Sequence, residues 1–170
     1  MTSVGERLIH GMLAGLVGAG TMGLVRMAAR RAGVIEKTVP EHLTETMSSR
    51  TGVAPPGGSL GHEVTSHALH EGYGLACGAL YALMGGGRRP HALRDGLALG
   101  FVVWVLSLFP LAALVRLPRA PWRATTAENA TNLAAHLVYG VATALAMEDL
   151  QHQPRLRRNT EHERRSTRVG

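Results

Sequence analysis

At 170 residues the chain is short enough to be one domain. Its single cysteine, Cys77, excludes an intrachain disulfide and a cysteine metal cluster. The net charge of +6 lacks the aromatic interleaving of a nucleic-acid surface, so no nucleic-acid partner is expected. The mean hydropathy of +0.05 averages over a segregated chain. Charges gather around 26–50, 88–94, 116–128 and from 151 onward, and the stretches between them are almost purely apolar.

Four apolar segments follow in chain order, at 8–29, 64–84, 93–115 and 127–147. Each is close to the ~20 residues a helix needs to cross ~30 Å of hydrocarbon. None alternates with period two, so strands are not expected. The reading is an all-α polytopic membrane domain over 1–150, four transmembrane helices in a small bundle. The first segment is longer than the ~7–15 apolar residues of a secretory signal and three more follow it, which reads as a span and not as a cleaved leader. Between the first two segments, Val39-Pro40-Glu41 suits a helix start, and 40–49 reads as an amphipathic helix on the membrane surface. Gly85 to Pro90 reads as a tight turn, and Thr125-x-x-Glu128 as a capping box opening the fourth span. The Arg-rich stretch 151–170 reads as a basic disordered tail.

The basic residues flanking the spans balance between the two sides of the membrane. Arg164, Arg165 and Arg168 tip the orientation toward cytoplasmic termini. Arg26, near the end of the first span, is expected to snorkel toward headgroups, and the juxtamembrane arginines to face anionic lipid.

The motif His-x-x-Tyr-Gly occurs twice, at His70–Gly74 and at His136–Gly140, each preceded at the same distance by a threonine, Thr65 and Thr131. Small residues recur every four positions in all four spans: Gly11 and Gly15, Gly74 and Gly78, Gly96 and Gly100, and Gly140 with Ala144. Such stripes let helix backbones approach closely in lipid, where association relies on packing. One hairpin separates the two motif copies, so the pattern implies two parallel helical-hairpin repeats, with self-association through glycine faces as a further expectation.

The polar residues inside the spans are the candidate site: His67, His70, Glu71, Asn132 and His136. An ionisable residue within a span is costly and by default faces the bundle interior with a partner. Three readings compete. His70 and His136 can hydrogen-bond between helices, to Tyr73, Tyr139 or Asn132. They can relay protons with Glu71. They can ligate haem, or a metal with His67, although lone histidine spacings are weak motifs and few aromatics are present to pack a porphyrin. No catalytic residue, resident metal or cofactor is assigned.

The order of these features resembles the YagU-like family of bacterial inner-membrane proteins: Gly-rich first span, Val39-Pro40-Glu41-His42-Leu43, His70-x-x-Tyr73-Gly74 with Gly78-Ala79-Leu80-Tyr81, Trp104 and Pro110 in the third span, then Ala135-His136-Leu137-Val138-Tyr139-Gly140. The resemblance runs from about Leu8 to Met147. It implies a multi-pass location in the bacterial inner membrane and carries no established activity. The expected function is therefore a non-enzymatic packing or interaction module. The alternatives are a small transporter or proton-linked channel built on the His/Glu faces, and a haem- or metal-binding membrane protein.

Overall fold

The computed structural model describes residues 3–35, 48–49, 52, 57–87, 91–107 and 125–169. Four helices follow in order: α1 (Val4–Arg31), α2 (Gly58–Leu83), α3 (Ala92–Leu106) and α4 (Thr126–Val169). No strand occurs among the described residues. The described helix α3 is shorter than the expected span 93–115, whose last part, with the amphipathic segment 40–49 apart from Ser48 and Ser49, lies outside the described residues.

The helix ends follow local chemistry. Ser3 and Glu6 close a capping box at the start of α1, each satisfying a backbone N–H of the other. The capping box expected before the fourth segment forms in the same way: the Thr125 N–H donates to Glu128 at 2.7 Å and the Glu128 N–H to Thr125 Oγ1 at 3.2 Å. After α2 the chain turns through Gly85 and Gly87 at φ +94° and +73°, a region that costs every side chain except glycine's. One expectation is corrected. The stretch from Gln151, read as disordered, continues α4 as helical backbone to Val169. Arginine, leucine and glutamate in that stretch are good helix formers, and the helix already running from Thr126 removes the nucleation cost.

Helix α1 packs against both α2 and α4, and α3 packs against α4. Glycine sets these crossings. A Cβ on Gly78 would lie 2.7 Å from Gly15 Cα, and one on Gly74 2.7 Å from the Ala19 Cβ. Between α3 and α4, a Cβ on Gly96 would lie 2.7 Å from Val141 Cα, and one on Gly100 2.8 Å from Leu137 Cα. Gly11 abuts Ala82 and Gly140 abuts Gly100 in the same fashion. All seven glycines named from the sequence are therefore consumed in contacts within the chain, so these faces are not open to a second copy.

The burial pattern of α1 is inverted relative to a water-soluble helix. Its buried positions are Gly11, Ala14, Gly15, Gly18, Ala19 and Met22. Its large apolar residues Ile9, Leu13, Val17 and Leu24 are 46–61 % exposed. Two helical stretches, Val4–Arg31 and Thr126–His152, are long and apolar enough to cross a membrane. Helix α2, at 26 residues, has the length, ~39 Å at 1.5 Å per residue, but the stretch 62–71 carries His62, Glu63, His67, His70 and Glu71.

Gly15→Leu and Gly100→Leu are expected to lower detergent melting stability by about 1–3 kcal/mol or more through overpacking. Gly20→Leu and Gly23→Leu are the controls, because a Cβ at either position meets nothing within 4 Å. Equal melting of all four variants contradicts the glycine crossings.

Candidate functional site

The buried stripe of α1 runs Gly11, Gly15, Gly18, Met22 in steps of three and four, and Arg26 is its next member. This register turns Arg26 inward, contrary to the expected snorkelling. Its guanidinium lies 3.5 Å from His70 Nδ1 on α2 and donates at 3.2 Å to Asn132 Oδ1 on α4. One side chain thus ties α1 to two other helices. From the sequence only Gly11 and Gly15 of this stripe were singled out; continuing their spacing down the helix leads to Arg26.

An arginine only donates, so His70 Nδ1 accepts and the ring carries its proton on Nε2. That Nε2–H points at the Ala19 carbonyl of α1, 3.3 Å away. His136 is bonded differently: its Nδ1–H donates at 2.7 Å to the Asn132 carbonyl one turn back on its own helix. The two copies of the motif therefore hold their histidines in different tautomers and by different partners. They are linked indirectly, through Arg26 and Asn132.

Two hollows meet at this cluster. A groove of about 450 Å³ between α1 and α2 is lined by Arg26, Arg30, Glu63, His67, His70 and Glu71 among others. A cavity of about 400 Å³ is lined by residues of all four helices, among them Ala19, Met22, Arg26, His70, Val103 and His136. Arg26 and His70 belong to both walls and form the partition. The sequence candidates divide accordingly. His67 and Glu71 face the groove, His136 faces the cavity, His70 faces both, and Asn132 holds Arg26. Glu71 Oε2 is buried without a hydrogen-bond partner. Among the described residues, no three or more His, Cys, Asp and Glu side chains converge as a metal ion requires. Both ring nitrogens of His70 are already engaged, so haem ligation there requires breaking one of these contacts.

Three further polar clamps were not singled out from the sequence. The buried Tyr139 hydroxyl donates at 2.8 Å to the Gly74 carbonyl on α2, so a tyrosine of one motif copy closes on the glycine of the other. Gln151 Nε2 donates at 3.2 Å to the Gly86 carbonyl in the turn after α2. The Arg7 guanidinium donates to the Ala82 carbonyl at the end of α2, which also accepts from the Gly85 N–H at 3.2 Å. The distance-65 spacing of 74 with 139 and of 86 with 151 lies outside any local window, so no short motif announces these pairs.

Tyr139→Phe removes the hydroxyl that bonds to the Gly74 carbonyl. It is expected to cost about 0.6–1.7 kcal/mol in detergent unfolding, the range of such bonds in membrane helices. Arg26→Leu, which releases two helices at once, is expected to cost more than Tyr139→Phe in the same assay, and the reverse order contradicts the clamp. No family model, curated protein or solved structure matches this chain.

Proposed function

We propose that the chain is a four-span bacterial inner-membrane protein that works as a non-enzymatic packing and interaction module. The observation that carries this reading is the inverted burial of α1, with glycine and alanine inside and leucine, isoleucine and valine outside. In water that arrangement exposes the residues with most to gain from burial. In lipid the large side chains are already solvated, and small residues inside give the backbone contact that drives association. The interhelical bonds of Arg26, His70 and Tyr139 support a structural role for the polar residues, because intramembrane polar groups by default face partners inside the bundle. The order of motifs, similar to the YagU-like family, supports the bacterial inner membrane as the location.

The two hairpins are read as repeats. Gly15 meets Gly74 across the first, and Gly100 meets Gly140 across the second, at corresponding positions of the doubled motif. Transport is the second reading, and the partition formed by Arg26 and His70 between groove and cavity favours it.

Alkaline carbonate is expected to leave the chain in the membrane pellet. Single cysteines in a Cys77→Ser background then test the four spans. Ser3→Cys and His91→Cys should label from one side, and Gly33→Cys and Thr125→Cys from the other; release by carbonate, or all four labelling from one side, overturns the placement. The transport reading predicts pH-dye flux in liposomes that falls in His70→Ala and His136→Ala. Flux equal to that of empty liposomes eliminates it.

A further inference from the structure

One polar group on the wall of the four-helix cavity keeps an open hydrogen-bonding capacity. His136 lines that cavity and is only 4 % exposed. Its Nδ1–H is spent on the Asn132 carbonyl, so in the neutral ring Nε2 carries a lone pair and no proton. Among the described residues this Nε2 has no hydrogen-bond partner. His70 differs, since both nitrogens of its ring are engaged. A buried acceptor without a partner costs free energy, and a ligand that donates to it recovers that cost.

The rest of the cavity limits what the donor can be attached to. The volume is about 400 Å³, at the low end of the ~300–1,000 Å³ typical of small-molecule sites. Ala19, Met22, Leu69 and Val103 make most of its wall apolar. An ionised carboxylate brings no proton for Nε2, and an ammonium would face the positive charge of Arg26 on the same wall. A neutral hydroxyl on an apolar body meets both conditions. The cavity also has a side on which it can be reached. Among the described residues α2 packs on α1 without substantial contact with α3, and Leu69 and Tyr73 on the α2 wall are 45 % and 41 % exposed.

We propose that this cavity binds a lipophilic alcohol or phenol whose hydroxyl donates to His136 Nε2, with its apolar body along Met22, Leu69 and Val103. Arg26 keeps its own partners in this arrangement and takes no part in holding the ligand. The lateral approach between α2 and α3 rests on the membrane placement proposed for the chain. The binding itself is read on purified protein, so its result is separate from the carbonate and labelling results.

The decisive comparison is between two ligands and leaves the protein unaltered. Calorimetric titration of para-hexylphenol into the full-length chain in neutral detergent, with empty micelles as the blank, is expected to show saturable binding. Para-hexylanisole, the same molecule with its hydroxyl proton replaced by a methyl group, should bind more weakly by about fivefold or more, the equivalent of one buried hydrogen bond. In ring-nitrogen NMR of the histidine-labelled wild-type chain, the phenol should shift the His136 Nε2 resonance and the anisole should not. His136→Phe keeps an aromatic ring and removes the acceptor, so it should bring the two affinities together. The NMR result decides the matter if that variant fails to fold. Dodecanol as competitor separates the two sources of the hydroxyl: displacement of the phenol at comparable concentration supports an aliphatic alcohol, and weaker displacement supports a phenol. Equal affinity of the phenol and the anisole for the wild-type chain, an unmoved His136 Nε2 resonance, or no saturable binding overturns the proposal. So does a Soret band in the purified protein that His136→Phe abolishes, which would place an iron porphyrin on the same nitrogen.

Discussion

The distance at which helix backbones can pass one another governs this molecule. At Gly15 with Gly78 and at Gly100 with Leu137, no room exists for a Cβ. That approach brings Tyr139 close enough to reach the Gly74 carbonyl, and Arg26 close enough to reach α2 and α4. A bundle spaced by leucines, with axes in the usual 8–10 Å range or beyond, would put several of these partners out of hydrogen-bond reach. The polar clamps are therefore consequences of the glycine crossings, and each then helps to hold the crossing that allowed it.

Arg26 shows how one charged residue can organise a mostly apolar interior. A guanidinium has donors in several directions, so it can satisfy an imidazole and an amide on different helices at once. Lysine, a point charge on a flexible stem, could not reproduce the fixed fork. The position also makes the residue a boundary, with carboxylates and His67 on one side and an apolar cavity on the other.

The doubled His-x-x-Tyr-Gly motif is equivalent in sequence and unequal in surroundings. Gly74 and Gly140 play matching parts in their hairpins, because each sits where a partner backbone passes. The histidines do not match. His70 bonds outward to α1, and His136 bonds back to its own helix. The asymmetry has a simple origin: α1 lies against α2 and α4 together, whereas α3 contacts α4 substantially and α2 does not share that contact. A histidine on α2 thus meets the Ala19 carbonyl of α1 and an arginine that its counterpart on α4 meets only through Asn132.

Local chemistry was legible in the residues themselves. The 3.6-residue periodicity, the Thr125 and Glu128 cap, the Gly85–Gly87 turn and the small-residue stripes are set within a few neighbours, so the sequence determines them directly. The limits of α4 were not legible, because a polar, arginine-rich stretch reads as a solvated tail until a helix leads into it. The partners of the polar residues were decided only by the tertiary structure. Which way Arg26 turns depends on what α2 and α4 place beside it, and the pairing of Tyr139 with Gly74 joins segments 65 residues apart in the chain. The sequence could specify which faces were small and which side chains were polar. Only the packed helices could specify which carbonyl, imidazole or amide each polar group would meet, because that is a matter of distance across the bundle and not of spacing along the chain.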